Sequence, residues 1–191
     1  MKPRIQRLFV LRAQSGDIEA LDKLFQSVQS RLYAYLRGLV GDPHLAEDVL
    51  QDVFVLVHRK LLWLREPELF RPWVHRIATR EAFRALKKLR RHPEEEFDEA
   101  LDAPEGEEPA PQGPDDELIE RLPQLVQRLT PKSRPVLLLH YWEGLTLEAV
   151  AAVLEISVGT VKSRLAYGLG QLREAVAAEE VAVAPPTHPT P

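Results

Sequence analysis

A row of cations is the feature of this sequence that is best placed to do chemistry. It lies on a helix predicted over residues 68–91, whose apolar residues recur at helical spacing. The outward side of that helix carries Arg76, Arg80, Arg84, Lys87, Lys88 and Arg91. Glu81 is the only acidic residue between Arg71 and Arg91, so pairing along the helix cannot neutralise the row. Most charge runs are solvated surface, but unpaired cations on one helix face are better suited to a phosphate backbone.

Two aromatic residues stand at the start of the same helix. Phe70 and Trp73 could stack on unpaired bases, as aromatic side chains do when they hold single-stranded nucleic acid. Both residues also fit the inward face of the helix, and for Trp73 a place in the core is the better-supported interpretation. With the cation row, they predict a surface for nucleic acid.

A second candidate for nucleic-acid binding lies further along the chain. Residues 145–165 divide into two short amphipathic helices across a turn, with Thr146 and Ser157 as N-caps. This pattern predicts a helix-turn-helix, the alternative being an ordinary helical hairpin. Its outward residues, and the backbone at the start of its second helix, could meet phosphates or base edges. These residues are Ser157, Gly159, Thr160, Lys162, Ser163, Arg164 and Tyr167.

An acidic patch marks another predicted helix, which Asp42 and Pro43 begin as N-cap and first residue. Its members are Glu47, Asp48, Gln51 and Asp52. No cation lies within reach along the helix before Arg59. Acidic residues in a first turn compensate the helix dipole, but Asp52 lies too far along for that. The patch is equally compatible with a docking surface for a basic partner.

Residues for catalysis or metal binding do not assemble into a motif. The chain has no cysteine, which excludes disulfides, thiol catalysis and cysteine-based zinc sites. Its six histidines are scattered, and neither a HExxH nor a GxSxG pattern occurs. Gly159 with Lys162 and Ser163 lacks the glycine that directly precedes the lysine of a phosphate loop. The sequence therefore predicts no enzyme, no cofactor and no metal site.

The charge distribution divides the chain more clearly than its net charge of −4 does. Residues 1–92 carry 18 Lys and Arg against 10 Asp and Glu. Residues 93–120 carry 13 Asp and Glu and no Lys or Arg. A basic half beside an acidic block indicates a protein that binds a polyanion and has a solvated connector.

The elements that position these residues are all predicted to be helices. Three main helices are expected in a first module, residues 1–92. Residues 93–117, rich in carboxylates and proline, read as a flexible linker. A second module, residues 118–178, holds the helix-turn-helix, and residues 179–191 are expected to be a disordered tail. The predicted fold class is all-α, with two small helical domains joined by a flexible acidic linker.

Two helices are expected ahead of the helix-turn-helix. One lies near 115–129, and Thr130 with Pro131 forms the cap-and-proline start of the next. No stretch is apolar over the length that a membrane span needs, and a secretory signal is not expected. We therefore expect a cytoplasmic protein.

Two long stretches resemble a known family. The run from SGDIEALDKLF through GDPHLAEDVLQDVF to LFRPWVHRIATREAFRALKKLRR resembles region 2 of extracytoplasmic-function (ECF) sigma factors of the sigma-70 superfamily. LTPKSRPVLLLHYWEGLTLEAVAAVLEISVGTVKSRL resembles their region 4. The order and the spacing match over roughly residues 12–176.

The resemblance implies a subunit that directs bacterial core RNA polymerase to promoters. By motif position, Asp48, Gln51 and Asp52 match the helix that docks on the clamp helices of the β′ subunit. The expected partner is thus core RNA polymerase, through its β and β′ subunits. Residues 70–80 match the segment that meets the −10 strand. The resemblance also implies an anti-sigma factor as a further partner. It places the acidic linker toward the RNA exit channel.

The recognition helix of the −35 element is matched by Lys162, Ser163 and Arg164. In this family asparagine usually stands at the position of Arg80, and glycine at the position of Glu155, where a positive φ would strain the glutamate. Two other interpretations remain at this point. One is a different helix-turn-helix regulator, such as a response-regulator output domain, and the other is a helical adaptor that binds only proteins.

Overall fold

The computed structural model describes residues 2–89 and 125–183 of the 191-residue chain, and every regular element in these two ranges is helical. The first range contains α1 (Pro3–Gln14), α2 (Ile18–Val40), α3 (Pro43–Lys60) and α4 (Phe70–Leu89), with 3-10 turns at Leu61–Trp63 and Pro67–Leu69. The second contains a 3-10 turn at Val126–Arg128, α5 (Arg134–Leu137), a π-helical turn at Leu138–Trp142, α6 (Leu147–Leu154) and α7 (Val158–Val183). The all-α prediction is confirmed.

Side-chain caps begin the helices that carry the candidate sites. Asp42, Thr146 and Ser157 each accept a hydrogen bond from the backbone N–H three residues further on, at 2.8, 3.2 and 3.0 Å. Each bond satisfies one of the N–H groups that a helix start leaves without an intrahelical partner. The three predicted N-caps of α3, α6 and α7 are confirmed.

Three helices differ from the prediction, one in its existence, one in its start and one in its end. Helix α1 was not predicted, and it buries Gln6 and Val10 against the rest of the fold. The predicted helix start at Thr130 and Pro131 is wrong, because residues 131–133 form a turn and α5 begins at Arg134. Helix α7 continues to Val183, into the segment that was expected to be a disordered tail.

Two predicted segments fall wholly or mostly outside the described residues. They are the linker, residues 93–117, and the helix near 115–129, of which the structure describes only residues 125–129. Within that last stretch, Val126–Arg128 forms a 3-10 turn.

The core runs without a break from the first described range into the second. In the first range Leu32, Tyr35 and Phe70 are fully buried between α2 and α4, and in the second Leu137 and Leu138 are equally buried. All five belong to one hydrophobic cluster. The two parts therefore pack against each other in this structure, and the division of the chain into domains at the linker stays a prediction.

Candidate nucleic-acid interface and docking face

An acidic face lies on the outside of α3. It consists of Glu47, Asp48, Gln51 and Asp52, and all four side chains are exposed. The opposite side of α3 holds Val49, Val53 and Val57 in the core, which fixes the direction in which the carboxylates point. In the part of the chain that the structure describes, none of the three carboxylates makes an ion pair. The acidic face is therefore free to meet a partner.

Helix α4 is anchored by a buried polar chain on its inner side. The hydroxyl of Tyr35 lies 2.6 Å from Oγ1 of Thr79. The Thr79 hydroxyl in turn donates to the carbonyl of His75 at 2.7 Å. Burial raises the pKa of Tyr35, against the lowering effect of its hydrogen bond with Thr79, so the phenol remains a neutral donor. This chain fixes the rotation of α4 and so sets which residues face outward.

The cation row on α4 is only partly free, which corrects the expectation that its members are unpaired. Arg76 and Arg80 both donate to one carboxylate oxygen of Glu155, the latter at 2.7 Å. Arg84 pairs with Glu81 at 2.8 Å. Lys87 and Lys88 are exposed and make no ion pair with any residue that the structure describes; Arg91 lies outside the described residues.

The two aromatic residues at the start of α4 differ in their exposure. Phe70 is fully buried, so the expectation that it stacks on a base does not fit its placement. Trp73 is half-buried and packs against the core, with its ring centre 6.4 Å from that of Phe70. Of the two, only Trp73 has ring surface available at the exterior.

Helices α6 and α7 form the predicted helix-turn-helix. Val161, Leu165 and Leu169 hold α7 in the core. The candidate contact residues lie on its other sides, either exposed or half-buried: Ser157, Gly159, Thr160, Lys162, Ser163, Arg164 and Tyr167.

Hydrogen bonding, burial and a neighbouring charge distinguish three of these candidate residues. The hydroxyl of Ser163 donates to the carbonyl of Thr160 at 3.1 Å, and burial lowers the pKa of Arg164, although the guanidinium stays charged at neutral pH. Lys162 lies near Glu148, whose pKa is lowered by its own backbone N–H, by Thr146 and by the charge of Lys162.

The turn between α6 and α7 contains a residue in the left-handed region. Glu155 has φ 58° and ψ 41°, a conformation that glycine adopts without steric cost and other residues rarely adopt. Because φ is positive here, the strain that such a conformation would impose on the glutamate is present. Its carboxylate is the one that Arg76 and Arg80 hold, and these two guanidinium groups lower the pKa of Glu155 to about 2.

A second acidic residue, Glu143, was missed by the reasoning from sequence. Its carboxylate is buried, 3.2 Å from Nε2 of His75 and 3.0 Å from the guanidinium of Arg71. Burial alone would raise the pKa of Glu143, but the hydrogen bond and charge of His75, with the charges of Arg71 and Arg31, outweigh it and lower the pKa. No local pattern could reveal this cluster, because its members are distant in sequence.

Two further kinds of feature, a metal-binding cluster and a membrane-spanning helix, are absent from the described ranges. No group of three or more His, Cys, Asp or Glu side chains there could hold a metal ion. None of the helices in those ranges is long and apolar enough to cross a membrane.

Comparisons with known proteins show the family of this chain. Residues 24–92 match the family model of sigma-70 region 2, and residues 119–172 match that of sigma-70 region 4. The chain is 33% identical to the RNA polymerase sigma-H factor of Pseudomonas aeruginosa, over 82% of this chain and 86% of that protein. The chain belongs to the ECF sigma factors.

A second relative is longer than this sigma factor. The ECF RNA polymerase sigma factor SigE of Mycolicibacterium smegmatis is 32% identical over 85% of this chain, which spans 65% of that protein. Sigma factors are not enzymes; they direct RNA polymerase to promoters and start transcription there. The family assignment excludes the response-regulator and adaptor interpretations, since neither includes a sigma region 2.

Two solved structures share the fold of this sigma factor. One is CnrH in complex with the cytosolic domain of CnrY, with a TM-score of 0.67 and 24% identity over 92% of this chain and 99% of that one. The other is RpoE in complex with the anti-sigma factor NepR from Bartonella quintana, with a TM-score of 0.63 and 22% identity over 83% and 97%.

Proposed function

We propose that the acidic face on α3 is the surface by which this sigma factor docks on core RNA polymerase. The observation that carries the proposal is that Asp48 and Asp52 are exposed and unpaired among the described residues, one helical turn apart on a rigid helix. Val55, 49% exposed, adds an apolar contact one turn further along. A face of this kind suits a partner helix with basic and apolar residues, as the family resemblance implies for the β′ clamp helices.

The DNA-binding roles are divided between the two parts of the chain. Helix α4 contacts the −10 element through Arg76, Arg80, Arg84, Lys87 and Lys88, with the exposed ring surface of Trp73 beside them. Phosphate contacts by these cations position the strand and carry no sequence information of their own. The outward residues of α7 contact the −35 element, with Lys162 and Arg164 as the charged members.

Partner and compartment follow from the same proposal. An anti-sigma factor is the regulator that we expect. RpoE was solved in complex with the anti-sigma factor NepR, and CnrH was also solved with a bound partner, the cytosolic domain of CnrY. We place the protein in the cytoplasm, where RNA polymerase works.

A binding measurement tests the docking face. Fluorescently labelled protein is titrated with purified core polymerase, and Asp48→Arg/Asp52→Arg is compared with the native chain. We expect at least a tenfold loss of affinity, because two attractive contacts become repulsive. The control is Glu19→Arg/Asp22→Arg, which changes the net charge by the same amount at exposed positions on α2. Equal affinity for both double variants would refute the docking role of the acidic face.

A further inference from the structure

A patch of exposed apolar side chains lies on α1 and on the 3-10 turns that follow α3. Single exposed apolar residues are ordinary at a protein surface, but a contiguous group marks a site of interaction. Two members protrude strongly, since Trp63 is 74% and Leu62 69% exposed. The residues of this apolar patch are Ile5, Leu8, Leu11, Leu62, Trp63 and Leu69.

Two polar contacts join α1 to the turns and make the patch continuous. The side-chain amide of Gln14 donates to two carbonyl oxygens within residues 61–64, at 2.9 and 2.8 Å. Arg7 pairs with Glu68 at 3.1 Å. Leu11 lies on the same side of α1, four residues after Arg7 and three before Gln14. It therefore borders the turn segment that carries the other half of the patch.

The outer face of α1 mixes apolar residues with cations. The inner side is fixed by Gln6 and Val10, which are buried. Leu8 points the opposite way, and Arg4 and Arg12 lie one helical turn before and after it, both exposed. Helix α1 contains no acidic residue. Cations and apolar side chains thus alternate on one face.

The charges around the patch are mostly positive and mostly unpaired. Residues 2–17 and 59–69 together have a net charge of +4. The ion pairs Arg12–Asp17 and Arg7–Glu68 neutralise two of their three carboxylates, which leaves Glu66. Five cations make no ion pair with any residue that the structure describes: Lys2, Arg4, Arg59, Lys60 and Arg65. The occupant of this surface must therefore be both apolar and anionic.

Three classes of anionic partner can be compared on this surface. Single-stranded nucleic acid stacks its bases on rings, whereas five of the six patch residues are aliphatic and only Trp63 is aromatic. A protein interface has an apolar core with the charges at its rim, whereas here cations lie between the apolar residues. A bilayer surface suits this mixture, because long cationic side chains reach headgroups while their apolar neighbours enter the acyl boundary. Tryptophan is enriched at the same level of a membrane.

We propose that the apolar patch and its cations form a peripheral attachment site for a membrane surface that contains anionic lipid. Helix α1 lies in the plane of the headgroups, and Leu8, Leu11, Leu62 and Trp63 enter the boundary of the acyl chains. The cations contact the lipid phosphates. Attachment of this kind requires no membrane-spanning helix. It depends neither on the docking role of α3 nor on the DNA-binding roles of α4 and α7.

Sedimentation of the full chain with vesicles tests the attachment. One set of vesicles contains phosphatidylethanolamine with about one quarter phosphatidylglycerol, which is anionic, and the other contains phosphatidylcholine alone. We expect about tenfold stronger binding to the anionic vesicles, decreasing as salt is added.

An apolar variant and a charge variant each have a matched control. Leu62→Ser is compared with Leu89→Ser at the end of α4, where the leucine is 64% exposed. Lys2→Gln/Arg4→Gln is compared with Lys23→Gln/Arg37→Gln, which removes the same charge from exposed positions on α2. All four change exposed side chains, so folding is not at risk. We expect a loss of about fivefold for Leu62→Ser and about tenfold for the charge variant, and little change for the controls.

The depth of Trp63 provides a readout that charge attraction alone does not produce. Brominated acyl chains quench the fluorescence of a tryptophan that reaches them. We expect quenching in the native protein on anionic vesicles. Trp63→Phe should still sediment with the vesicles and should lose the quenching, although Trp73 and Trp142 remain.

Three results would overturn the proposal. Equal binding to both kinds of vesicle, or none, would exclude anionic lipid and leave an acidic protein segment as the occupant of the patch. Equal losses in the variants and their controls would show a diffuse attraction without a site. Sedimentation without quenching of Trp63 would show that the apolar patch does not enter the membrane.

Discussion

Nε2 of His75 lies 3.2 Å from a carboxylate oxygen of Glu143, with the two side chains only 2% and 1% exposed. The other ring nitrogen, Nδ1, lies 2.9 Å from the carbonyl oxygen of Arg71. One ring nitrogen thus lies beside a carboxylate of the second part and the other beside a backbone carbonyl of α4. This pair connects α4 to the second part of the chain at the centre of the contact.

The Glu143 carboxylate should matter greatly for stability. In Glu143→Gln the charge that balances Arg71 and Arg31 is lost, and we expect the free energy of unfolding to fall by about 3 kcal/mol. Urea denaturation followed by circular dichroism measures it. Glu174→Gln, at an exposed position on α7, is the control and should change stability little. An equally small effect for both variants would contradict the account of the cluster.

Two glycines in α7 should respond to alanine in opposite directions. A Cβ atom at Gly168 would lie 2.4 Å from Cδ1 of Leu137 and 3.0 Å from Cβ of Ser133, whereas one at Gly170 meets nothing within 4 Å. We expect Gly168→Ala to destabilise the protein by about 1–2 kcal/mol through overpacking. Gly170→Ala should stabilise it by roughly 1 kcal/mol, because alanine favours helix. Thermal unfolding of the two variants checks the signs, and two shifts of the same sign would refute this packing.

The pKa of Glu155 provides a direct test of its contact with α4. Hydrogen bonds from Arg80 and Arg76 lower it from 4.5 to about 2. A lowered carboxyl pKa means that the contact is fully stabilising above pH 4.5 and is lost as the pH falls toward 2. A carbon-detected NMR titration of the Glu155 carboxyl should show this, and Arg76→Ala/Arg80→Ala should return the pKa toward 4.5. An ordinary pKa in the native protein would mean that the ion pairs do not form.

The N-cap of the recognition helix should be measurable by substitution. Ser157 Oγ accepts from the amide of Thr160, so Ser157→Ala leaves that N–H without its partner. We expect a loss of about 1 kcal/mol in the free energy of unfolding, and a smaller loss for Ser157→Gly. Chemical denaturation of both variants, compared with Ser30→Ala at an exposed position on α2, gives the result. A larger loss for glycine than for alanine would contradict the cap.

Much of the fold follows from patterns that are local in sequence. Helices α3, α6 and α7 begin at caps because a serine, threonine or aspartate side chain reaches an amide only three residues away. Helix α1 escaped prediction because its inner face includes a glutamine, Gln6, which is only 5% exposed. Apolar residues also lie on its outer face (Ile5, Leu8 and Leu11 are exposed), so no one-sided stripe marked the helix. The π-helical turn at Leu138–Trp142 begins inside an apolar run. Because consecutive apolar residues show no helical periodicity, the sequence did not indicate where this turn starts.

The contact between the two parts could not be predicted in the same way. Arg76 and Glu155 are 79 residues apart, and Arg71 and Glu143 are 72 apart, so no spacing rule relates them. The cations lie on α4 as predicted, but the row was wrongly taken as unpaired. Glu155, which pairs with Arg76 and Arg80, belongs to another part of the chain, and Arg84 pairs with Glu81 on α4 itself. The acidic face, whose residues share one helix, was visible from spacing alone.

Run-off transcription tests the central claim most directly. Purified core polymerase is combined with the native protein, with Asp48→Arg/Asp52→Arg, or with Glu19→Arg/Asp22→Arg, on a pool of genomic promoter fragments. We expect specific start sites with the native chain and with the α2 control, and their loss with the α3 variant. Specific initiation that survives charge reversal at both Asp48 and Asp52 would contradict the account of how this sigma factor docks.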